Sequence, residues 1–552
     1  MHLEIQTHRK NPFGILRSSF RKDGKVLHKS FGRVTGLALD QLKILQAAFR
    51  GQAVPVDSPQ ALRTSHSREF GACAALLALA NDLGLPRILG KPDDANTRCL
   101  LAMLIGKLVY SGSKLSLVNL FKDTCLWELC GVTQRGERPD VDTCCYQPLD
   151  DLLKRQSAIQ KKLARRHLQN GALVLYDITS IYLEGEYAES EIVAFGHPKA
   201  DGKRGCPQVV IGLICNAEGC PVGIEVFAGN TKDETTVLEK IAQIHDDFGI
   251  EEIIFVGDRG MITQANYDKV KDIRGLSTIT ALTHPQILKL IDGKHIEPEL
   301  FDETKIVEII DPEDQQRRLC LCRNPQSALK EANTRQALLE QTRKALEKIA
   351  LGSTKKSARA EQIGERVGKV LNRFQMGKFV DWQLTDIEVV KGKPAKSMEW
   401  TFDQAAIERE SLIDGCYIVA SDVSKERLDS EQTVAAYKSL TLVEQAFRNL
   451  KTVQIDLRPI FHNRDDRIKA HVFLCMLSYY LQWHMKQRLE ALFAADGTHE
   501  NRRWTFQGVL ERLKSIRKSR AAMADVEFDH IDTPDAEQSA ILRHLGVRLP
   551  TK

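Results

Sequence analysis

The chain has 552 residues, 43% of them hydrophobic and 27% charged, with a formal net charge of +5. That length exceeds what one core usually holds, about 250–300 residues, so several domains are expected, and the composition is that of an ordinary globular protein. No apolar run approaches the ~18 residues of a bilayer span, and the start, MHLEIQTHRKNPFG, lacks the apolar core of a secretory signal. The thirteen cysteines are scattered, several of them inside apolar runs (Cys73, Cys99, Cys215, Cys475), which suits a reducing cytoplasm better than a disulfide framework. Cys144-Cys145 and Cys320-Leu-Cys322 lack a second ligand pair at zinc spacing, so no structural zinc site is expected there.

Residues 1–50 carry ten Lys/Arg against Glu4, Asp23 and Asp40, a larger excess than the whole chain's. A basic arm on a near-neutral body suggests a polyanion partner; a solvated basic surface is the alternative. Within it, residues 12–35 alternate apolar and polar around Asp23-Gly24, which predicts a hairpin. Residues 36–165 read as mostly helical, closing on the basic amphipathic stretch DLLKRQSAIQKKLARRHLQN.

The pattern changes at Gly171. GALVLYDITSIYLEG, QVVIGLICNAEG and PVGIEVFAGNT read as three strands of an antiparallel meander, with turn chemistry at Asn216–Gly219. DETTVLEKIAQIHDDFG has helical periodicity. EEIIFVGDRGMIT supplies a fourth strand, TQANYDKVKDI a helix and LSTITALTH a fifth strand. This order is that of a ribonuclease-H-like mixed five-stranded sheet, with strand one beside strand four. Residues 285–412 contain a hairpin, two charged helices and a second strand-rich patch holding Trp382 and Trp400. A stretch this long between elements of one core reads as an inserted α+β domain. GCYIVASD then resumes the strand pattern, SEQTVAAYKSLTLVEQAFRNLK reads as one helix, and RIKAHVFLCMLSYYLQWHMKQRLEAL as another.

An acid at the mouth of an apolar strand needs a reason, because unpaired carboxylates are not buried cheaply. Asp177 sits inside strand one and Asp258 ends strand four. Taken singly, each has an ordinary reading, as a structural Asp bonded to hydroxyls or as a cap. On adjacent strands they repel, and one stays protonated unless a cation sits between them; hard oxygen ligands favour magnesium or manganese. The spacing of Tyr437, Glu444, Arg448 and Lys451 places them on one face of the helix that follows, a face equally readable as a solvated Glu–Arg pair.

With these residues the chain resembles the DDE transposases of bacterial insertion sequences, the ribonuclease-H-like group whose last acid lies in a Y-x2-R-x3-E-x6-K helix. Tyr437, Glu444 and Lys451 match; Leu440 stands at the Arg position. One branch writes the helix as Y-x2-L-x3-E-x2-F-R-x2-K, which Leu440, Phe447 and Arg448 fit, so the departure bears on which side chain grips the phosphate. YDITSIYLE, PQVVIGL, GNTKDETT and DRGM also look like that branch. The similarity runs from about Leu173 to near Leu492.

The resemblance implies that Asp177, Asp258 and Glu444 hold two Mg2+ or Mn2+ ions, and that Tyr437, Arg448 and Lys451 contact phosphates near the scissile bond. Arg259 either meets DNA or holds Asp258. Lys203 and Arg204, in the basic loop HPKADGKRGCPQ, run along DNA or are simply solvated. In related transposases an insertion at this point sets an aromatic against extruded DNA, a role open to Trp382 or Trp400; the alternative is that both anchor a small sheet. The expected product is a transposase that binds the ends of its own element, cleaves DNA and joins 3′ ends to a target. It is expected to act as a homodimer on double-stranded DNA, in the bacterial cytoplasm at the nucleoid. The rivals are a catalytically silent DNA-binding regulator or domesticated derivative and a two-carboxylate glycosidase, which needs neither the basic arm nor the helix cations. The expected divisions are a DNA-binding arm (1–50), a helical domain (51–165), the core's first part (166–284), the insertion (285–412), the core's second part (413–492) and a helical tail (493–552).

Overall fold

The computed structural model describes residues 2–7, 11–22, 25–51, 63–196, 205–231, 248, 250–259, 261–271, 273–355, 359–390, 393–453, 455–494, 503–523 and 526–549. The chain divides into two compact units. The first comprises Met1–Leu168, Ile178–Thr231 and Leu442–Lys552; the second comprises Gln169–Asp177 and Lys232–Thr441.

In the first unit, β1 (His2–Gln6), β2 (Phe13–Lys22) and β3 (Lys25–Val34) make an antiparallel sheet. The expected hairpin is β2–β3, with Lys22 paired to Lys25; its turn residues, Asp23 and Gly24, lie outside the described residues. Leu3, Leu16 and Val34 pack on Leu42 and Leu45 of the helix Leu39–Phe49. β3 is an edge strand, and Phe20, Val26, Leu27 and Phe31 of this hairpin are exposed among Lys25, Lys29 and Arg33. β4 (Arg63–Glu69) was not expected; the other described residues of 36–165 are mainly helical, as expected.

The core of this unit is helical. Gly71–Asp82, Ala95–Val109 and Asp465–Arg488 are apolar around most of their circumference, and such helices are buried rather than amphipathic. Among the described residues, no single helix is long and apolar enough to cross a membrane.

This core contains a polar cluster. Lys114 Nζ donates to His462 Nε2 (3.1 Å) and to His471 Nδ1 (2.6 Å), while the opposite nitrogen of His471 lies 3.2 Å from the Leu457 carbonyl. An ammonium can donate only to an unprotonated nitrogen, so both imidazoles are neutral. Burial is the main cause: it pushes His462 down to about 3 and His471 well below its ordinary range, with the Lys114 charge adding to both. Lys107, Arg467, Asp150, Cys475 and the Tyr146 ring also face the pair. Unfolding lets both rings protonate near pH 6.5, so their contribution is complete above that value and is lost as pH falls toward 3. Between pH 6.5 and 5, above the carboxylate range, the urea midpoint is expected to fall, each ring adding up to about 1.4 kcal/mol per pH unit. The His462→Gln variant should show a shallower slope; an unchanged slope would remove the ring from the account.

Three strands follow in the order expected: β5 (Ala172–Tyr182), β6 (Gln208–Asn216) and β7 (Pro221–Ala228). β6 and β7 pair antiparallel across the Asn216 turn, where the Asn216 carboxamide accepts from the N–H of Glu218 (3.2 Å) and Cys220 (2.8 Å). The helix expected over 233–249 falls almost entirely outside the described residues, and Lys203 and Arg204 also lie outside them.

In the second unit, β8 (Ile253–Gly257) runs parallel to the start of β5, and β9 (Leu276–Ala281) runs parallel to β8. Strand one therefore lies beside strand four, as the sequence order implied. β10 (Val307–Asp311) and β11 (Asp314–Arg323) form the expected hairpin. Helices Pro325–Lys355 and Ala360–Phe374 then lead to the ribbon of β12 (Val380–Val390) and β13 (Lys393–Phe402), and β14 (Cys416–Ser421) closes the set. The strand order is β10-β11-β14-β9-β8-β5 in the second unit and β5-β6-β7 in the first, the start of β5 belonging to the second unit and its end to the first.

The five strands expected are thus eight. The reason lies in β11, whose run Arg317–Cys322 is buried and needs a hydrogen-bonding neighbour on each side; β10 and β14 supply them. The hairpin inside 285–412 therefore extends the main sheet, whereas the two helices and the β12–β13 ribbon have a core of their own: Leu346, Ile349, Ile363, Val367, Val380 and Met398. Trp382 and Trp400 are paired across that ribbon. Trp400 packs on this core, while Trp382 remains 38% exposed.

The tail, expected to be helical, is helical only in part. Between helices Phe506–Lys514 and Ala536–Leu545 run β15 (Arg517–Met523) and β16 (Val526–Ile531), and β15 pairs with β4. Neither RTSHSRE nor RKSRAAM carries an apolar alternation, so hydrophobic periodicity had nothing to detect.

Candidate active site

β5 and β8 are apolar for the reason parallel strands usually are, being covered on both faces. Their register ends with Tyr176 opposite Gly257, and the next residue on each is an acid, Asp177 and Asp258. The parallel register therefore brings the two carboxylates to the same end of neighbouring strands, within the second unit. Asp177 is half-buried and Asp258 exposed.

Asp258 is held firmly for a residue beyond the end of a strand. Its Oδ1 accepts from the Arg259 backbone N–H (2.6 Å) and from the Tyr437 hydroxyl (3.3 Å), and its carbonyl accepts from Thr280 Oγ1 (3.3 Å) on β9. Burial, then the neighbouring Asp258 charge, pushes the Tyr437 phenol well above its ordinary value, so it stays a neutral donor. The Arg259 side chain is exposed.

Tyr437 does not share a continuous helix with Glu444, contrary to the sequence expectation. The stretch is two helices, Ser430–Lys438 and Thr441–Arg448, followed by a wide turn at Asn449–Val453 that carries Lys451. Ser439 Oγ bonds the Ala436 carbonyl (2.6 Å) and Thr441 Oγ1 the Lys438 carbonyl (3.0 Å), so short polar side chains compete for acceptors at the break while Leu440 turns into the core. A periodicity count cannot register such a break, because seven residues still span nearly two turns.

The second of these helices belongs, from Leu442 onward, to the first unit. Val443, Ala446 and Phe447 are buried, leaving Glu444 and Arg448 exposed one turn apart. Lys451 is buried and donates to Thr179 Oγ1 at 2.5 Å, two residues beyond Asp177 on β5. Its ammonium thus supports the strand carrying the first acid instead of standing in solvent. Thr280 escaped the sequence reading; its only signal was a hydroxyl inside an apolar strand.

A carboxylate pair braced by a neutral phenol and a backbone N–H is a donor set of hard oxygens, suited to a divalent cation of the magnesium or manganese type. A search of curated proteins finds no match to this sequence. The family model described as transposase DDE domain matches residues 170–481. That span takes in both strands of the acid pair, the β12–β13 ribbon and the Glu444 helix, and it covers more than half of the chain. The chain therefore belongs to the transposase DDE domain family.

Proposed function

We propose that the protein is the transposase of an insertion sequence, binding the ends of its element, cutting DNA there and joining the 3′ ends to target DNA. The observation that carries this reading is the juxtaposition of Asp177 and Asp258, one residue past the last registered pair of β5 and β8. Two carboxylates so placed fit a metal-binding centre, since without a cation one of them takes up a proton.

Asp177, Asp258 and Glu444 would hold two Mg2+ or Mn2+ ions; such ions, when bound, would supply activation of a water or 3′-hydroxyl and stabilisation of the leaving oxygen. Tyr437 orients Asp258 through its hydroxyl and stays uncharged beside it. Arg448, exposed one turn after Glu444, is placed to meet a phosphate, and Arg259 is the corresponding cation beside Asp258. Lys451 is assigned to the same phosphate path, reached when its bond to Thr179 is exchanged; Lys203 and Arg204 are assigned to the flank of the DNA. The partner is double-stranded DNA, engaged by a homodimer in the cytoplasm at the nucleoid. The 1–50, 51–165, 166–284, 285–412, 413–492 and 493–552 divisions stand as the functional segmentation of this reading, with the β10–β11 hairpin lent to the sheet.

The test is incubation of the full-length protein with duplexes carrying the DNA that flanks its gene, with Mg2+ or with a chelator. Metal-dependent cuts at inverted repeats are expected. Specific binding without cleavage would make the chain the silent regulator instead, and neither binding nor cleavage would overturn the proposal.

The basic arm has its own expected result. Lys25, Lys29 and Arg33 are exposed on β3. Changing all three to Gln should weaken binding to element-end DNA and lower the slope of log K against log salt by about 0.9 per lost phosphate contact. An unchanged slope would place the DNA elsewhere.

A further inference from the structure

Within the first unit, three side chains from distant parts of the sequence converge: His167, Cys220 and His484. His167 is the last residue of the helix Gln156–His167, Cys220 precedes β7 in the hairpin with β6, and His484 lies near the end of the helix Asp465–Arg488. One ligand atom from each lies within 4.8 Å of the others.

We propose that these three residues form a binding site for a borderline-soft transition-metal ion, of which Zn2+ fits best. Imidazole and thiolate donors in one cluster select zinc-type ions over magnesium or calcium, which take hard oxygens. The site is therefore distinct in chemistry from the carboxylates Asp177 and Asp258.

Three independent features support it. First, His484 Nε2 is buried with no hydrogen-bond partner among the described residues, and a buried nitrogen left unpaired is uncommon enough to need an explanation. Second, His167 Nε2 lies 2.9 Å from the Tyr480 hydroxyl, one turn before His484 on the same helix. When Nε2–H donates to that hydroxyl, the lone pair is left on Nδ1, the usual arrangement behind a metal-bound histidine. Third, the Cys220 backbone is held in place, its N–H donating to Asn216 Oδ1 and its carbonyl accepting from Asn216 N–H (3.0 Å), so the residue bearing the sulfur is anchored before any ion arrives.

Burial lowers His167 to about 4 and His484 to about 3, which keeps both rings in the neutral form that binds metal. The same burial raises the Cys220 thiol, so the ion must displace its proton to solvent, one proton released per ion bound. Nearby Arg166 and Arg488 are engaged elsewhere, with the Leu83 carbonyl and with Asp82. Two imidazoles and one thiolate leave a fourth position for water, as in sites with three protein ligands.

The experiment uses the full-length protein, stripped by a chelator and titrated with Co2+ in excess Mg2+, so that carboxylate sites are occupied. One tightly bound Co2+ per chain with a thiolate-to-cobalt absorption band is expected, displaced by one equivalent of Zn2+. Cys220→Ser should lose the band. His484→Gln should weaken binding at least about tenfold, and Tyr480→Phe, which removes only the partner of His167, by about ten- to a hundredfold. Zn2+ should raise the melting temperature of the parent but not of Cys220→Ser. No thiolate band in the parent, or one undiminished in folded Cys220→Ser, overturns the site. If Cys220→Ser does not fold, unchanged Co2+ affinity in His484→Gln overturns it equally.

Discussion

Asp258→Asn should cut element-end DNA at least about a thousandfold more slowly than the parent, while folding and binding DNA as before. The substitution is nearly isosteric. Its amide oxygen can still accept from the Arg259 N–H and the Tyr437 hydroxyl that now bond Oδ1 at 2.6 and 3.3 Å. Only the negative charge is lost, and with it, on the proposed function, the hold on a divalent ion at the end of β8. Metal-derived stabilisation of a phosphoryl transition state amounts to several kcal/mol, and each 1.36 kcal/mol is tenfold in rate, so about a thousandfold is a modest expectation. Asp177→Asn should behave alike. Tyr437→Phe removes a single orienting hydroxyl and should cost about tenfold, in line with one neutral hydrogen bond. The measurement is single-turnover cleavage beside a binding titration and a melting curve. Normal cleavage by Asp258→Asn would exclude the carboxylate pair as the centre.

Arg318→Ala should destabilise the second unit by about 3–5 kcal/mol, the usual result of removing one partner from a buried charged network. Arg318 is 6% exposed. From β11 it donates to Glu308 (2.8 Å) on β10, to the carbonyls of Val423 and Leu428 (both 2.9 Å), and to Thr433 Oγ1 (3.4 Å). Glu308 in turn accepts from Ser430, the first residue of the helix Ser430–Lys438, which carries Tyr437. The guanidinium thus fastens that helix to the sheet edge, and its loss strands a half-satisfied carboxylate and two carbonyls. Arg318→Lys should recover little, since one ammonium cannot reach acceptors spread around a planar fork. Chemical denaturation followed by a probe in this unit measures the effect; a change under 1 kcal/mol would show the network to be replaceable by water.

What could be read from the sequence follows the physics of each element. β5 and β8 were legible because a strand covered on both faces is a continuous apolar run, and an acid ending such a run stands out. β6 and β7 were legible from their turn. The extension of the sheet was not, because β11 and β14 announce burial but not which neighbour provides it; pairing is a long-range property. β4 and β15 were invisible, being strands built of Arg, Ser, Lys and His. The break between Tyr437 and Glu444 was hidden because Ser439 and Thr441 are tolerated inside helices as readily as they end them. His167, Cys220 and His484 share no local motif at all, and only folding brings them together.

The edge strand β3 also bears on how the protein must be handled. Its exposed Val26, Leu27 and Phe31 alternate with Lys25, Lys29 and Arg33, so the unpaired ladder that invites another chain is guarded chiefly by charge. Mutual repulsion of that kind acts over a Debye length, about 10 Å at 0.1 M salt and only about 3 Å at 1 M. Concentrated salt therefore disarms this colloidal defence. Light scattering from the protein alone should rise with ionic strength, as an arm kept apart by its own charge in dilute buffer becomes an adhesive for its own kind in concentrated salt.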